Sequence, residues 1–168
     1  MNFIFENITT IIQALAAFGA IGTVYFLVRE LGEQNRVSRA NVRQNVADSH
    51  QKMALAGMKK DIVKIKLKLR KNEELTEIED ATYLSYFAVM LRSRENQYYQ
   101  YTIGMLDEAE WDSMLKSFKT LFRSPYHLKL WSFMRDTFDE EFVVIVDEII
   151  EELKLSLIHI SEPTRPTP

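Results

Sequence analysis

Five polar side chains between residues 94 and 100 form a candidate polar cluster: Arg94, Glu95, Asn96, Tyr98 and Gln100. An apolar face precedes them at helical spacing and consists of Leu84, Phe87, Ala88 and Leu91. Continuing that spacing turns Arg94 or Glu95 toward the core, where a carboxylate must be paired, hydrogen-bonded or protonated. Three hypotheses follow: a satisfied polar network that fixes helix register, a ligand pocket, or a catalytic carboxylate. We prefer the network.

Other kinds of chemistry find little support in the sequence. The chain has no cysteine, which excludes disulfides and thiolate metal ligands. His50 and His127 have no second ligand at metal spacing, and paired Glu-x-x-His motifs are missing. There is no Gly-x-Ser-x-Gly motif and no glycine-rich phosphate loop. We therefore predict no catalytic, cofactor-binding or metal-binding residues, and we regard an enzyme as the less favoured hypothesis.

Composition and charge limit the classes of partner. The chain has 168 residues, of which 46% are hydrophobic and 27% charged, as in one folded domain. A net charge of −3 gives no overall attraction for nucleic acid. One basic run has no interleaved aromatic residue and is interpreted as a solvated or lipid-facing surface: Lys59, Lys60, Lys64, Lys66 and Lys68.

Residues 8–28 are predicted to form a transmembrane helix. This segment of about 21 residues carries no charge, and at about 1.5 Å per residue it would span roughly 30 Å, the thickness of the hydrocarbon core. Two alternatives remain open, a buried helix of a soluble domain and a cleaved signal peptide. A signal peptide would have a basic start, whereas no Lys or Arg precedes this segment.

The residues beside this helix predict its orientation. Only Glu6 carries a charge before it, whereas Arg29, Arg36, Arg39 and Arg43 follow it. The positive-inside rule places the side rich in arginine in the cytoplasm. We therefore expect attachment to the lipid bilayer of a bacterial inner membrane, with the N-terminus outside and the C-terminal domain cytoplasmic.

The rest of the chain is predicted to be helical. Residues 29–56 continue as a stalk helix with a thin stripe of Val42, Val46, Ser49 and Met53, which predicts packing on the domain or, less favoured, a coiled-coil seam. Residues 61–69 alternate like a strand, but no second strand is present to pair with them, so we predict a short helix. Four further helix starts are predicted at Thr76 with Glu79, Asp107 with Glu110, Ser124 with Pro125, and Asp139. The fold class is all-α, with about four to five helices packed in a small cytoplasmic bundle over residues 57–154.

Residues 94–111, RENQYYQYTIGMLDEAEW, resemble the signature FENAYYQY..GLLDEE.W of a family of uncharacterised small bacterial single-pass membrane proteins. Weaker matches are YFLVREL at residues 25–31, QNRVSR at 34–39 and FDEEFVVIVD at 138–147. The resemblance covers most of residues 8–153. It implies a membrane helix and a helical domain, and it implies no activity. The basic run at residues 59–71 departs from the more acidic pattern of the family.

The last residues have a different origin in our interpretation. Residues 155–165, LSLIHISEPTR, match the translation of a transposase-end adapter used in preparing DNA for short-read sequencing. We therefore predict that residues 155–168 are an adapter-derived, disordered tail of a metagenomic sequence, and we exclude them from the fold. On this interpretation the natural C-terminus is unknown.

The leading functional hypothesis is a membrane-tethered helical binding or scaffold module without catalytic activity. Its helical surface would face a cytoplasmic protein partner or a second copy of the chain. The alternative is a small-ligand sensor or an unrecognised enzyme that uses a pocket around Glu95, Asn96 and Gln100. A subunit of a larger membrane complex is a third possibility.

Overall fold

The computed structural model describes the backbone of residues 2–161 and the side chains of residues 7–156. This part of the chain contains α-helices and one 3₁₀ turn but no strand, which confirms the all-α class. The helices are α1 (Asn2–Gly57), α2 (Lys60–Arg70), α3 (Glu77–Thr102), α4 (Glu108–Leu121), α5 (Pro125–Met134) and α6 (Glu140–Ser161). The chain divides into two compact units at Asn41 and Val42, inside the predicted stalk.

The first unit contains the apolar part of α1. An 18-residue window of this helix has a mean hydropathy of 2.0, and none of the window is buried within the protein. The helix is therefore long and apolar enough to cross a membrane. The hydroxyl of Thr23 donates to the carbonyl of Gly19 at 2.9 Å, so this polar group is satisfied within the helix itself.

The second unit contains the end of α1 and helices α2 to α6. Five helices follow α1 in the described residues, in agreement with the four to five expected. The side chains at the centre of the core are almost wholly buried, and most of them are aromatic: Phe87, Leu91, Phe118, Phe122, Phe142 and Val146. The bundle is therefore held mainly by ring packing, in which each large side chain contributes about 1.5–3 kcal/mol by leaving water.

The segment with alternating apolar residues is helical, as predicted. Ile62 and Ile65 are 6% and 1% exposed, and Leu69 is half-buried one turn further on. These positions share one face of α2, while Val63 and Lys64 between them are exposed. Helical periodicity therefore accounts for the burial of this segment better than a period of two does.

Two of the four predicted helix caps form with their side chains. The Thr76 hydroxyl accepts from the Glu79 N–H at 3.3 Å, and the Glu79 carboxylate accepts from the Thr76 N–H at 2.9 Å. Asp139 accepts from the Glu141 N–H at 3.0 Å at the start of α6. These contacts satisfy backbone donors that the first helical turn leaves unpaired.

The other two helices begin where predicted but without side-chain caps. Neither Asp107 nor Ser124 makes a side-chain cap hydrogen bond. The prediction of an acidic capping box at Asp107 is therefore wrong. Its expected partner, Glu110, instead accepts a hydrogen bond from Arg43 at 3.0 Å, because α1 brings a cation to that carboxylate.

Within the second unit, the end of α1 packs on the other helices through the predicted stripe. Val42, Val46, Ser49 and Met53 are all half-buried. The hydroxyls of Ser49 and Ser93 lie 2.7 Å apart, which joins this part of α1 to α3. One-sided packing, rather than a coiled-coil seam, accounts for the stripe.

Two boundaries differ from the expectation. Helix α3 ends at Thr102 rather than near Met105, and Gly104 follows with a φ of 72°, a left-handed conformation that glycine adopts without a Cβ clash. Helix α6 continues to Ser161, so residues 155–161 are helical where a disordered tail was expected. Residues 162–168 lie outside the described part of the chain.

Candidate functional site

Arg94 lies beside His50, which belongs to the part of α1 in the second unit. The Nη1 atom of Arg94 is 2.6 Å from His50 Nε2 and 2.8 Å from Gln97 Oε1. The Nε2 atom of Gln97 is 3.0 Å from the same nitrogen of His50. The three side chains therefore form a closed set of hydrogen bonds between α1 and α3.

The protonation state of His50 follows from this geometry. A guanidinium only donates hydrogen bonds, so the Nε2 atom of His50 accepts and the ring carries its proton on Nδ1. Burial, and secondly the charge of Arg94, lowers the pKa of His50. The imidazole is therefore neutral near pH 7 and acts as an acceptor between two polar side chains.

The polar side chain buried in α3 is Gln97, which is 2% exposed. The sequence predicted that Arg94 or Glu95 would turn inward, but both are only half-buried. The cause is the end of α1, which packs against the side of α3 that carries Gln97. An amide suits this position because it is neutral and both donates and accepts, which lowers the cost of its burial.

Glu95 holds the start of α6 rather than a ligand. Its Oε1 atom accepts from the Asp139 N–H at 2.7 Å, and its Oε2 atom accepts from Arg92 at 2.8 Å. Arg92 also donates to the carbonyl of Thr137 at 2.5 Å, and its guanidinium lies 4.2 Å from the ring centre of Phe138. Both carboxylate oxygens therefore have partners, which favours a structural role for Glu95.

Tyr98 lies on the same side of α3 as Glu95. Its hydroxyl donates to Glu141 at 3.4 Å. Burial, and next the carboxylate of Glu141, raises the pKa of Tyr98, so the phenol stays protonated near pH 7. Its ring centre lies 5.2 Å from that of Trp111 in the core. Tyr98 thus joins a core aromatic contact to the first turn of α6.

Asn96 and Gln100 line a small groove together with Ser49 and Ser93. The groove holds about 70 Å³, well below the roughly 300 Å³ at which pockets accommodate organic ligands. Its polar lining and size suit a few ordered waters. By their contacts, Arg94 thus belongs with His50, Glu95 and Tyr98 with α6, and Gln100 with the groove. Asn96 lines both the groove and a cavity of about 490 Å³ that it shares with Glu95 and Tyr98.

A second polar contact joins α1 to α4. Arg43 pairs with Glu110 at 3.0 Å beside a pocket of about 330 Å³ that Arg94 and Ser113 also line. The other carboxylate oxygen of Glu110 is buried and accepts no hydrogen bond from the described residues. This oxygen remains available to a donor that enters the pocket, such as water.

A larger pocket, of about 500 Å³, lies among helices α2 to α5 and was not predicted from the sequence. We call it the α2–α5 pocket, and its polar lining consists of Lys66, Arg70, Tyr83, Tyr86, Ser124 and His127. Leu69, Met90 and Leu121 supply its apolar wall. The available sequence signal was the pair of cations at i and i+4 in α2, which share one helix face.

His127 is part of the wall of this pocket and not an isolated residue. Its Nδ1 atom lies 2.8 Å from the carbonyl of Leu121, so Nδ1 carries a proton, and its Nε2 atom lies 2.9 Å from the Tyr83 hydroxyl. Burial lowers the pKa of His127, and burial raises the pKa of Tyr83 to about 12. The pair is therefore a neutral imidazole that accepts from a protonated phenol.

Known proteins and metal-site geometry assign no further role to these residues. Among the described residues, no group of three or more histidine, cysteine, aspartate or glutamate side chains is arranged to hold a metal ion. The chain matched no protein-family model, no curated protein and no solved structure.

Proposed function

We propose that this chain is a helical binding module held in a bacterial inner membrane by the first part of α1. The observation that supports the tether is the apolar window of α1, none of which is buried within the protein. Ile11, Leu15 and Phe18 are 59%, 66% and 73% exposed. Each such side chain in water forgoes about 1.5–3 kcal/mol of burial, and a lipid surrounding would supply it.

The proposed orientation has the N-terminus outside and the second unit in the cytoplasm. Arg29, Arg36 and Arg39 follow the apolar window and are exposed, while no Lys or Arg precedes it. Arg36 also pairs with Glu33 at 2.8 Å, which weakens but does not cancel the local positive charge. A signal sequence can be equally long and apolar, and a cleaved signal sequence is therefore the competing interpretation.

Membrane fractionation tests the tether. We expect the full chain, and a version that ends at Lys154, to remain in the membrane pellet after washing with alkaline carbonate. A cleaved signal sequence would instead yield a soluble product that lacks the first residues, which mass spectrometry of the intact protein would show. Recovery of the uncleaved chain in the supernatant contradicts the proposal.

Cysteine labelling tests the orientation, because the chain has no cysteine of its own. Two single-cysteine variants, Asn7→Cys and Ser113→Cys, place one thiol before the apolar window and one at an exposed position of α4. A maleimide that cannot cross the inner membrane should label the first variant in intact cells with permeable outer membranes and the second only after lysis. The reverse pattern contradicts the proposed topology.

The binding partner in this proposal is a cytoplasmic protein or a second copy of the chain. Large apolar side chains of the second unit remain exposed, among them Ile78, Val89 and Phe133 at 80%, 60% and 75%. Cross-linking in native membranes, followed by mass spectrometry, separates the two partners, because self-association gives only peptides of this chain. A chain that forms no cross-link to any protein contradicts the scaffold role.

Ligand sensing is the second candidate function, and the α2–α5 pocket favours it. The pocket lies within the usual range of small-molecule sites, at about 300–1,000 Å³. Of the positions where the sequence placed a ligand, Asn96 and Gln100 line a groove of only about 70 Å³. Glu95 and Asn96 also line a cavity of about 490 Å³, but Glu95 is already engaged there by Arg92 and the N–H of Asp139. A sensor of this kind would hold its ligand in the second unit.

A further inference from the structure

The α2–α5 pocket is positively charged, and no acidic side chain in its wall balances that charge. Lys66 and Arg70 line it, and no aspartate or glutamate does. The neighbouring cations of α2 point elsewhere, since Lys64 and Lys68 lie 3.6 and 2.7 Å from the carboxylate of Glu79. Among the described residues Lys66 and Arg70 have no acidic partner within ion-pair distance. An anion that entered the pocket would therefore meet two uncompensated charges.

The free polar groups of the pocket are hydrogen-bond donors. The Tyr86 hydroxyl accepts from Lys66 at 3.4 Å, which leaves its own proton available. Ser124 is half-buried and makes no cap hydrogen bond, so its hydroxyl is also available. Tyr83 and His127 are already engaged with each other at 2.9 Å. A cavity with free donors and no acidic side chain matches the oxygens of a carboxylate or phosphate.

The remaining wall is apolar and suits the body of an organic molecule. Leu69, Met90 and Leu121 line the pocket beside the ring of Tyr86. Lys66 Nζ lies 5.0 Å from the centre of that ring, so charge and aromatic surface are adjacent. A volume of about 500 Å³ exceeds what an inorganic anion needs and accommodates a ring attached to an acidic group.

We propose that the α2–α5 pocket binds an organic anion, a carboxylate or phosphate ester that carries a flat apolar body. Its acidic group would lie against Lys66 and Arg70, and its body against Tyr86, Met90 and the other apolar residues. This inference deepens the second candidate function and does not depend on membrane attachment, because every lining residue belongs to the second unit. A soluble metabolite and a lipid headgroup share this chemistry.

The main test uses 2-naphthyl phosphate as the probe and 2-naphthol as its neutral counterpart. Both are titrated by calorimetry into the full chain in a neutral detergent, with empty micelles as the blank. We expect the phosphate to bind and the naphthol to bind at least about tenfold more weakly, because charge-assisted hydrogen bonds are lost. Equal binding of the two probes, or no binding of the phosphate, overturns the proposal.

Two matched pairs of substitutions locate the site. Lys66→Met with Arg70→Met removes the pocket charges and keeps the apolar stems, whereas Lys60→Met with Arg123→Met removes the same charge at exposed positions outside the pocket. The Kd for the phosphate should rise about tenfold or more in the first pair and stay within about twofold in the second. If the first pair fails to melt cooperatively, the Kd is measured with Arg70→Met alone. This single change should not disturb the fold, because the Arg70 side chain has no hydrogen-bond or ion-pair partner in the described structure. An unchanged Kd overturns the site.

Gly57 offers an independent variant that leaves every charge in place. A Cβ atom there would lie 2.8 Å from the Tyr86 hydroxyl oxygen and 3.0 Å from Lys66 Nζ. Gly57→Ala must therefore displace two donors of the pocket, and we expect it to weaken binding of the phosphate. Gly32→Ala is the matched control, because a Cβ meets nothing within 4 Å there. Equal effects of the two variants contradict a role for these donors.

Binding measurements in lipid nanodiscs distinguish a lipid headgroup from a soluble metabolite as the source of the anion. The titration is repeated in phosphatidylcholine discs with and without phosphatidylglycerol. If phosphatidylglycerol competes with the naphthyl phosphate in the wild type but not in the variant Lys66→Met with Arg70→Met, the pocket binds a lipid headgroup. An unchanged Kd with both lipids assigns it to a soluble organic anion. Competition that persists in the first pair places the lipid elsewhere and contradicts a lipid-filled pocket.

Discussion

The guanidinium of Arg94 lies 2.6 Å from the Nε2 atom of His50, and this contact requires a neutral imidazole. Protonation of His50 would place two cations in contact and convert the acceptor of two hydrogen bonds into a donor. The carboxylate of Glu110 lies near enough to offset part of this repulsion. The junction of α1 with α3 therefore depends on the charge state of one histidine.

The stability of the protein should fall as pH falls below about 6.5. Burial, then the charge of Arg94, lowers the pKa of His50 from its ordinary 6.5, and burial lowers that of His127. Just below pH 6.5 the unfolded chain then binds more protons than the folded one. The contribution of the two histidines to the free energy of unfolding is therefore complete above this pH and declines as the pH falls below it. His50→Gln should reduce this slope in urea titrations across that range. A slope equal to that of the wild type contradicts the prediction.

Glu95 is expected to stabilise the fold without contributing to binding. Glu95→Ala removes both contacts to Asp139 and Arg92, and we expect it to lower the free energy of unfolding by about 1–2 kcal/mol. Asn96→Ala is the matched control, because Asn96 is exposed and should change stability by less than about 0.5 kcal/mol. Chemical denaturation measures both. A larger loss in the control would mean that the polar groove, not the α6 contact, matters.

Asp147 should be coupled energetically to Trp131. The indole N–H of Trp131 donates to Asp147 at 2.8 Å, and Trp131 is 3% exposed. Asp147→Ala leaves that donor unpaired in the core and should cost about 1–3 kcal/mol. In Trp131→Phe the donor is gone, so the same change at Asp147 should cost less. A double-mutant cycle in urea measures the difference, and additive effects would contradict the coupling.

The second unit should fold without the first. In the described part of the chain, the buried hydrophobic residues lie between Ile62 and Ile150, so a fragment of residues 42–154 should melt cooperatively. A fragment of residues 58–154 loses the half-buried side chains of Val46 and Met53 and the Ser49 contact, and it should be less stable by about 2 kcal/mol. Circular dichroism during heating compares the two fragments. Equal melting temperatures would show that the end of α1 adds nothing to the bundle.

Several interactions between residues close in the chain were predicted correctly, although the side-chain caps at Asp107 and Ser124 do not form. The capping box of Thr76 and Glu79 and the burial of Ile62 and Ile65 follow from spacings of three residues, which helix geometry alone fixes. The apolar window of α1 likewise depends only on composition along one segment.

The choice of partner across the bundle was not predictable in the same way. Gln97 rather than Arg94 or Glu95 is buried, because the part of α1 that carries His50 covers that side of α3. Glu110 does not cap its own helix but contacts Arg43, which lies 67 residues away in sequence. In both cases a distant helix competes with the local partner, and sequence spacing does not encode that competition.

Periodicity and composition in the sequence were enough to determine an all-α chain with one exposed apolar helix and a helical bundle, since both act over a single turn or segment. Only the tertiary structure decided that Lys66 and Arg70 share a cavity with Tyr83, Tyr86 and His127. These residues lie on three helices, and their charges and donors converge because aromatic packing in the core fixes where the helices cross.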